Sequence, residues 1–151
     1  MSEHIDAQRL LIPQLGPLYG FFGQYSYAFM RICTGAILIP HGVGKMFSDA
    51  PWQTAPMERM GLWPPLLWTM LVAGTEFFCA IFLTIGLFTR FAASPVMIEM
   101  FVIAYFINGP KGFLWTRGGY EYPLLWGLLC LAILFRGGGR LSVDQYLPKE
   151  L

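Results

Sequence analysis

"YGFFGQYSYAFMRICTGAILIPHGVGKM", residues 19–46, is apolar except for a few polar side chains, Arg31 and a closing His-Gly-Val-Gly-Lys. As a helix, this stretch extends about 42 Å at about 1.5 Å per residue, which exceeds the roughly 30 Å hydrocarbon core of a bilayer. Such a helix is expected to tilt, bend or protrude, and Pro40 marks the expected bend. Its closing motif is not a phosphate loop. That loop needs glycine, a four-residue gap, then Gly-Lys-Ser/Thr, so that backbone amides surround the phosphates. Here Ile39 takes the first glycine's place, Met46 follows Lys45, and no strand pattern precedes them.

Composition supports a membrane. Of 151 residues, 56% are hydrophobic, 17% aromatic and 13% charged, whereas a soluble domain carries about a quarter charged residues. The net charge of +1 and the scattered basic residues argue against nucleic acid as a partner. Cys33, Cys79 and Cys130 each fall inside an apolar run and form no metal-binding or disulfide spacing. With only His4 and His41, the chain lacks ligands for a haem or a metal of its own. No tightly bound cofactor is expected. Any redox group is diffusible, a quinone for instance, or carried by a partner. Glu3, Asp6, Pro13, Gly16 and Pro17 do not fit a cleaved signal, so the first membrane segment is expected to persist.

Four spans are expected, approximately 19–46, 65–88, 91–109 and 121–136, giving an all-α fold: an integral membrane four-helix bundle in one domain, residues 1–151. "PQLGP" at 13–17 reads as a bent entry. "SDAPWQTAPMERMGLWPP" at 48–65 reads as a loop at headgroup depth, anchored by Trp52 and Trp63. "GLFTR" at 86–90 makes a tight hairpin of the second and third spans, and Pro123 suits the first turn of the fourth. Lys and Arg favour the side holding both termini by five (Arg9, Arg90, Arg136, Arg140, Lys149) to four (Lys45, Arg59, Lys111, Arg117). This multi-pass topology places both termini in the cytoplasm by a narrow margin.

Ionisable groups within a bilayer cost several kcal/mol unless paired. Arg31, Glu76 and Glu99 lie near the centres of the first three expected spans, so one shared depth is expected. Either an internal salt bridge joins the helices, or the group handles protons or a ligand. One guanidinium facing two carboxylates leaves surplus negative charge, so one carboxyl is expected to carry a proton. Arg31, His41 and Lys45 fall within about 80° around the first helix. They form a stripe from mid-membrane to the surface that also receives Asn108 and Glu121. His41 and Lys45 are expected to face Glu121, with Gly42 and Gly44 permitting close helix approach. After the glycines of "RGGGRLSVDQYL", 136–147, Ser142 or Asp144 is expected to cap a short turn.

The first-span arginine, "HGVGKMF" at 41–47, "GTEFFCAIFLTIGLFTRFAA" at 74–93, "GYEYPLLWGLLCLAIL" at 119–134 and "GGGRLSVD" at 137–144 together resemble the DoxX family of small four-helix membrane proteins. The resemblance runs from about Arg31 to Asp144. It implies polar family positions at Arg31, His41, Lys45, Glu76 and Glu121, while Glu99 rests on the depth argument alone. Related proteins serve as membrane subunits of thiosulfate:quinone oxidoreductase or as helpers of redox partners. The leading expectation is therefore a membrane subunit of a quinone-linked oxidoreductase, working beside other membrane or peripheral subunits. The alternative is a non-catalytic accessory or assembly subunit packed beside a larger membrane complex. A transporter fits less well, because four helices leave little room for alternating access.

Overall fold

The computed structural model describes residues 9–48 and 52–149, so Glu3, His4 and Asp6 lie outside the described residues. Among those described, the chain is all helical with no strand. Four long helices dominate: α1 (Gly16–Phe47), α2 (Pro65–Ile85), α3 (Thr89–Lys111) and α4 (Glu121–Arg136). The boundaries follow local chemistry. A single turn at Pro13–Leu15 leads into α1, with Pro17 in its first turn, where a missing N–H costs nothing. Pro65 opens α2 in the same way.

α2 stops at Ile85, short of the expected 88, because Gly86 turns left-handed at φ +71°. Gly86 has a second reason to be glycine, since a Cβ there would sit 2.6 Å from the Arg31 guanidinium. α3 then starts at Thr89 and runs to Lys111, longer than the expected 91–109. α1 runs unbroken through Pro40. Two stretches, Thr75–Cys79 in α2 and Ile103–Asn108 in α3, are π-helical. Such widened turns often border functional sites.

Length and composition qualify two helices for a bilayer: α2, 21 residues at mean hydropathy 1.9, and α3, 23 residues at 1.6. α1 dilutes its apolar run with Gln24, Ser26, Arg31 and Thr34. α4, at 16 residues, falls short of the roughly 20 that a perpendicular span needs.

Each helix packs antiparallel to the next in sequence. Gly35 lies against Ala80 and Thr84, and Gly42 against Glu76 and Phe77, at points where a Cβ would come within 2.5 Å of α2's backbone. Such small-residue contacts let two backbones approach closely. Ala80, Leu83, Ala92, Ala93, Val96, Cys130 and Ile133 are fully buried and form the core. Outward, Phe29, Phe78, Ile98, Phe106 and Phe135 are each at least half exposed. An apolar surface of that extent suits lipid rather than water.

Antiparallel packing gives the molecule two ends. The tail end holds the start of α1, the Gly86–Phe88 turn and residues 137–149. The loop end holds the α1–α2 and α3–α4 connections. At the loop end Asn108 donates to the Gly119 carbonyl at 3.3 Å, and Trp115 stacks on Tyr122 with centroids 5.1 Å apart.

Candidate functional site: a buried acidic pair beside an apolar cavity

α1 extends beyond α2 at the tail end, so its partnered portion is centred well past Arg31. The shared depth expected for Arg31, Glu76 and Glu99 is therefore wrong for Arg31. Its guanidinium, 1% exposed, lies at the tail end and donates to the carbonyls of Leu83, Thr84 and Leu141. It forms no ion pair with Glu76.

The residues after α4 fold back around this arginine. Asp144 accepts from the backbone N–H groups of Phe88 at 2.6 Å and Thr89 at 2.9 Å, so it caps the start of α3 rather than a turn of its own. Its own N–H donates to the Gly86 carbonyl at 2.9 Å. Tyr27 donates its hydroxyl to Gly137, and the Arg136 guanidinium lies 4.5 Å above the Tyr27 ring. Arg90 reaches the last carbonyls of α4, at Leu134 and Phe135, where a cation complements the helix dipole. Arg31 and Asp144 thus hold a structural clasp.

The cation that meets Glu76 is Lys45, whose ammonium pairs directly with the carboxylate. Lys45's side chain is 40% exposed and that of Glu76 is 4% exposed, so the pair connects the loop-end surface to the interior. Close approach at Gly42 brings α1 near enough for this contact. Nothing stands within 4 Å of a Cβ built on Gly44, so only Gly42 of the two glycines serves helix approach.

Glu99 on α3 is 9% exposed. The Glu76 carboxyl is within hydrogen-bonding reach of it, and Lys45 lies close enough to act on it electrostatically. Neither Glu99 oxygen receives a bond from a donor among the described residues. The Cys79 thiol, one turn on from Glu76, also lies near Glu99. Two of the three residues expected to cluster are therefore together, with Lys45 in the place foreseen for Arg31.

Beside this pair lies a cavity of about 540 Å³ between α1, α3 and α4. Its walls are mostly apolar, including Leu38, Met100, Ile103 and Trp126, while His41, Glu76 and Tyr122 bring polar groups. The Trp126 indole N–H donates to the Thr34 carbonyl at 3.2 Å and is thereby oriented. Ile37, His41 and Tyr122 are exposed at its rim. Glu121 lies at the same end but accepts from the Trp115 N–H at 3.2 Å instead of facing Lys45. Tyr122 and Trp126 carry no signal in sequence, being two aromatics among many. Asp144 was visible as a capping residue, but not what it caps.

The family model for DoxX matches residues 26–109, which hold Arg31, the Lys45–Glu76 pair and Glu99. The chain belongs to the DoxX family. This DoxX chain is similar to an uncharacterised protein of Haemophilus influenzae, with 36% identity over 130 residues, covering 83% of this chain and 93% of that protein. It is also similar to an uncharacterised membrane protein of Mycobacterium tuberculosis, Rv3486, at 27% identity over 140 residues and 85% of each chain. No solved structure matches it. Family and apolar helices together mark a membrane protein.

Proposed function

We propose that all four long helices cross the bilayer as an integral membrane bundle, and that the chain is the membrane subunit of a quinone-linked oxidoreductase. The observation that carries this reading is the cavity. Its volume lies within the roughly 300–1,000 Å³ of small-molecule sites, and it combines apolar walls with a few convergent polar groups. A quinone ring needs flat apolar contact, supplied by Trp126, Met100 and Ile103, and donors at its carbonyl oxygens, supplied by His41 and Tyr122. A bound quinone accepts electrons and protons together. Glu76 borders the cavity and Glu99 stands behind it, so a carboxyl is in place to give or take a proton. In this reading electrons come from a partner subunit that carries the redox group. The exposed Ile37 on the rim makes the mouth open to lipid, the phase in which quinones diffuse.

A non-catalytic accessory subunit is the second reading. It is favoured by Arg31 and Asp144, two buried charged groups whose hydrogen bonds are spent on holding the fold.

Trp126 provides the test. A short-chain quinone added to the detergent-solubilised protein should quench tryptophan fluorescence saturably, Trp126→Phe should remove the saturable part, and His41→Ala should weaken binding about tenfold, the equivalent of one lost hydrogen bond. Quenching that rises linearly and is the same in Trp126→Phe would leave only partitioning into the micelle and favour the accessory reading.

A further inference from the structure

We infer that Glu76 and Glu99 hold one proton between them, and that this proton exchanges with water only at the loop end, past Lys45. The inference deepens the quinone reading by fixing the side from which the site's protons come, but its test needs no quinone.

Charge balance gives the stoichiometry. With both carboxyls ionised, Lys45 leaves the buried group at net −1, a costly state at low dielectric. One proton brings it to neutrality, and a second would strand the Lys45 ammonium. Geometry agrees. The carboxyl within reach of Glu99 is that of Glu76, Glu99 finds no donor among the described residues, and two carboxyls bond each other only across a proton. The other titratable groups near the pair are His41 and Tyr122 across the cavity and Cys79 on α2. None of these is an ammonium or a guanidinium, and the cation that pairs with the group is Lys45.

Sidedness follows from what separates the two charged sites. Between the acidic pair and the Arg31–Asp144 clasp, α2 contributes Ala80 and Leu83, and α3 contributes Ala92, Ala93 and Val96, all 0% exposed. The hydroxyls at the level of this layer, on Thr34, Thr84 and Ser94, each donate to a carbonyl one turn back on their own helix, so none is turned toward the acidic pair. Toward the loop end, the Glu76 carboxylate touches an ammonium that reaches the surface. A proton arriving from that side passes from a hydronium ion beside Lys45 to a Glu76 oxygen and so into the pair, leaving a water molecule behind. The pair then carries one negative charge, which the Lys45 ammonium balances.

Infrared spectroscopy of the full chain in lipid reads the shared proton as the carbonyl stretch of a neutral carboxyl. The wild type should show one such band, shifted in heavy water. Glu76→Gln and Glu99→Gln should each abolish it, because the remaining carboxylate then pairs with Lys45. Lys45→Met should about double the band, since removing the cation lets the second carboxyl take a proton. In tight vesicles of one orientation, the wild-type band should follow the pH of the compartment facing the loop end and ignore the other. A wild type without the band, a band surviving in either glutamine variant, or a band following the pH at the tail end would overturn the inference. The sidedness measurement uses only the wild type, so it stands even if a variant fails to fold. Quinone binding by a protein without the band would sink this inference while sparing the quinone reading; the reverse result would do the opposite.

Discussion

Lys45 at the end of α1 and Glu76 at the centre of α2 form an ion pair, while Arg31, fourteen residues earlier on the same helix, is bound by backbone carbonyls at the opposite end. Two cations on one helix, one buried and one partly exposed, thus do separate work. Arg31→Ala should cost about 2–4 kcal/mol by leaving carbonyls unsatisfied. Glu76→Ala should cost about 1–3 kcal/mol, reduced because its partner Lys45 is partly exposed. The two share no partner, so the double variant should show their sum within about 0.5 kcal/mol. Thermal unfolding in detergent is the check, and strong non-additivity would mean that the two sites are coupled.

Gly42 and Gly44 separate helix approach from mere composition. A Cβ on Gly42 would meet the Phe77 nitrogen at 2.5 Å, in a backbone that cannot swing aside. Gly42→Ala should therefore push α1 off α2 and destabilise by about 1–3 kcal/mol. It should also disturb the Lys45–Glu76 contact. Gly44→Ala has open space around it and should be neutral or gain up to about 1 kcal/mol from helix propensity. Equal losses in the two variants would contradict this packing.

How legible was this in the sequence? The long apolar runs announced helices, and the prolines and glycines at their ends placed most boundaries within a few residues. The acidic pair was legible too, since Glu76 and Glu99 sit near the middle of α2 and α3, whose short hairpin fixes their relative depth. Arg31 was misplaced because α1 is 32 residues long and only its second half is partnered by α2. Counting from the middle of such a helix gives the wrong depth. Nothing in "RLSVD" says that its aspartate will reach across to Phe88 and Thr89, because that bond depends on how the chain folds back after Gly137.

Asp144 offers a direct test of the clasp. Asp144→Ala leaves the N–H groups of Phe88 and Thr89 without their acceptor and should cost about 1–2 kcal/mol, the usual loss for a helix cap. Proteolysis should then cut within residues 137–149 faster than in the wild type. Asp144→Asn keeps one acceptor oxygen and should recover part of the loss. Unchanged protease sensitivity in Asp144→Ala would mean that the tail is held by other contacts.

The proposed crossing of all four long helices makes a topology prediction. Single cysteines introduced near Lys149 and near Arg9, in a background lacking the native three, should react with an impermeant reagent from the cytoplasmic side. One introduced near Trp115 should react from the other side. Labelling of the two terminal positions from opposite sides would contradict an even number of spans.

The claim on which the functional account rests is that a quinone occupies the cavity bordered by Glu76 and Trp126. Photoaffinity labelling in native membranes with a quinone bearing a photoreactive group, followed by peptide mapping, tests it most directly. The account predicts adducts concentrated on α1, α3 and α4 around Leu38, Ile103 and Trp126, suppressed by excess unlabelled quinone. Adducts spread over the lipid-facing residues Phe78, Ile98 and Phe135, and unaffected by competitor, would contradict it.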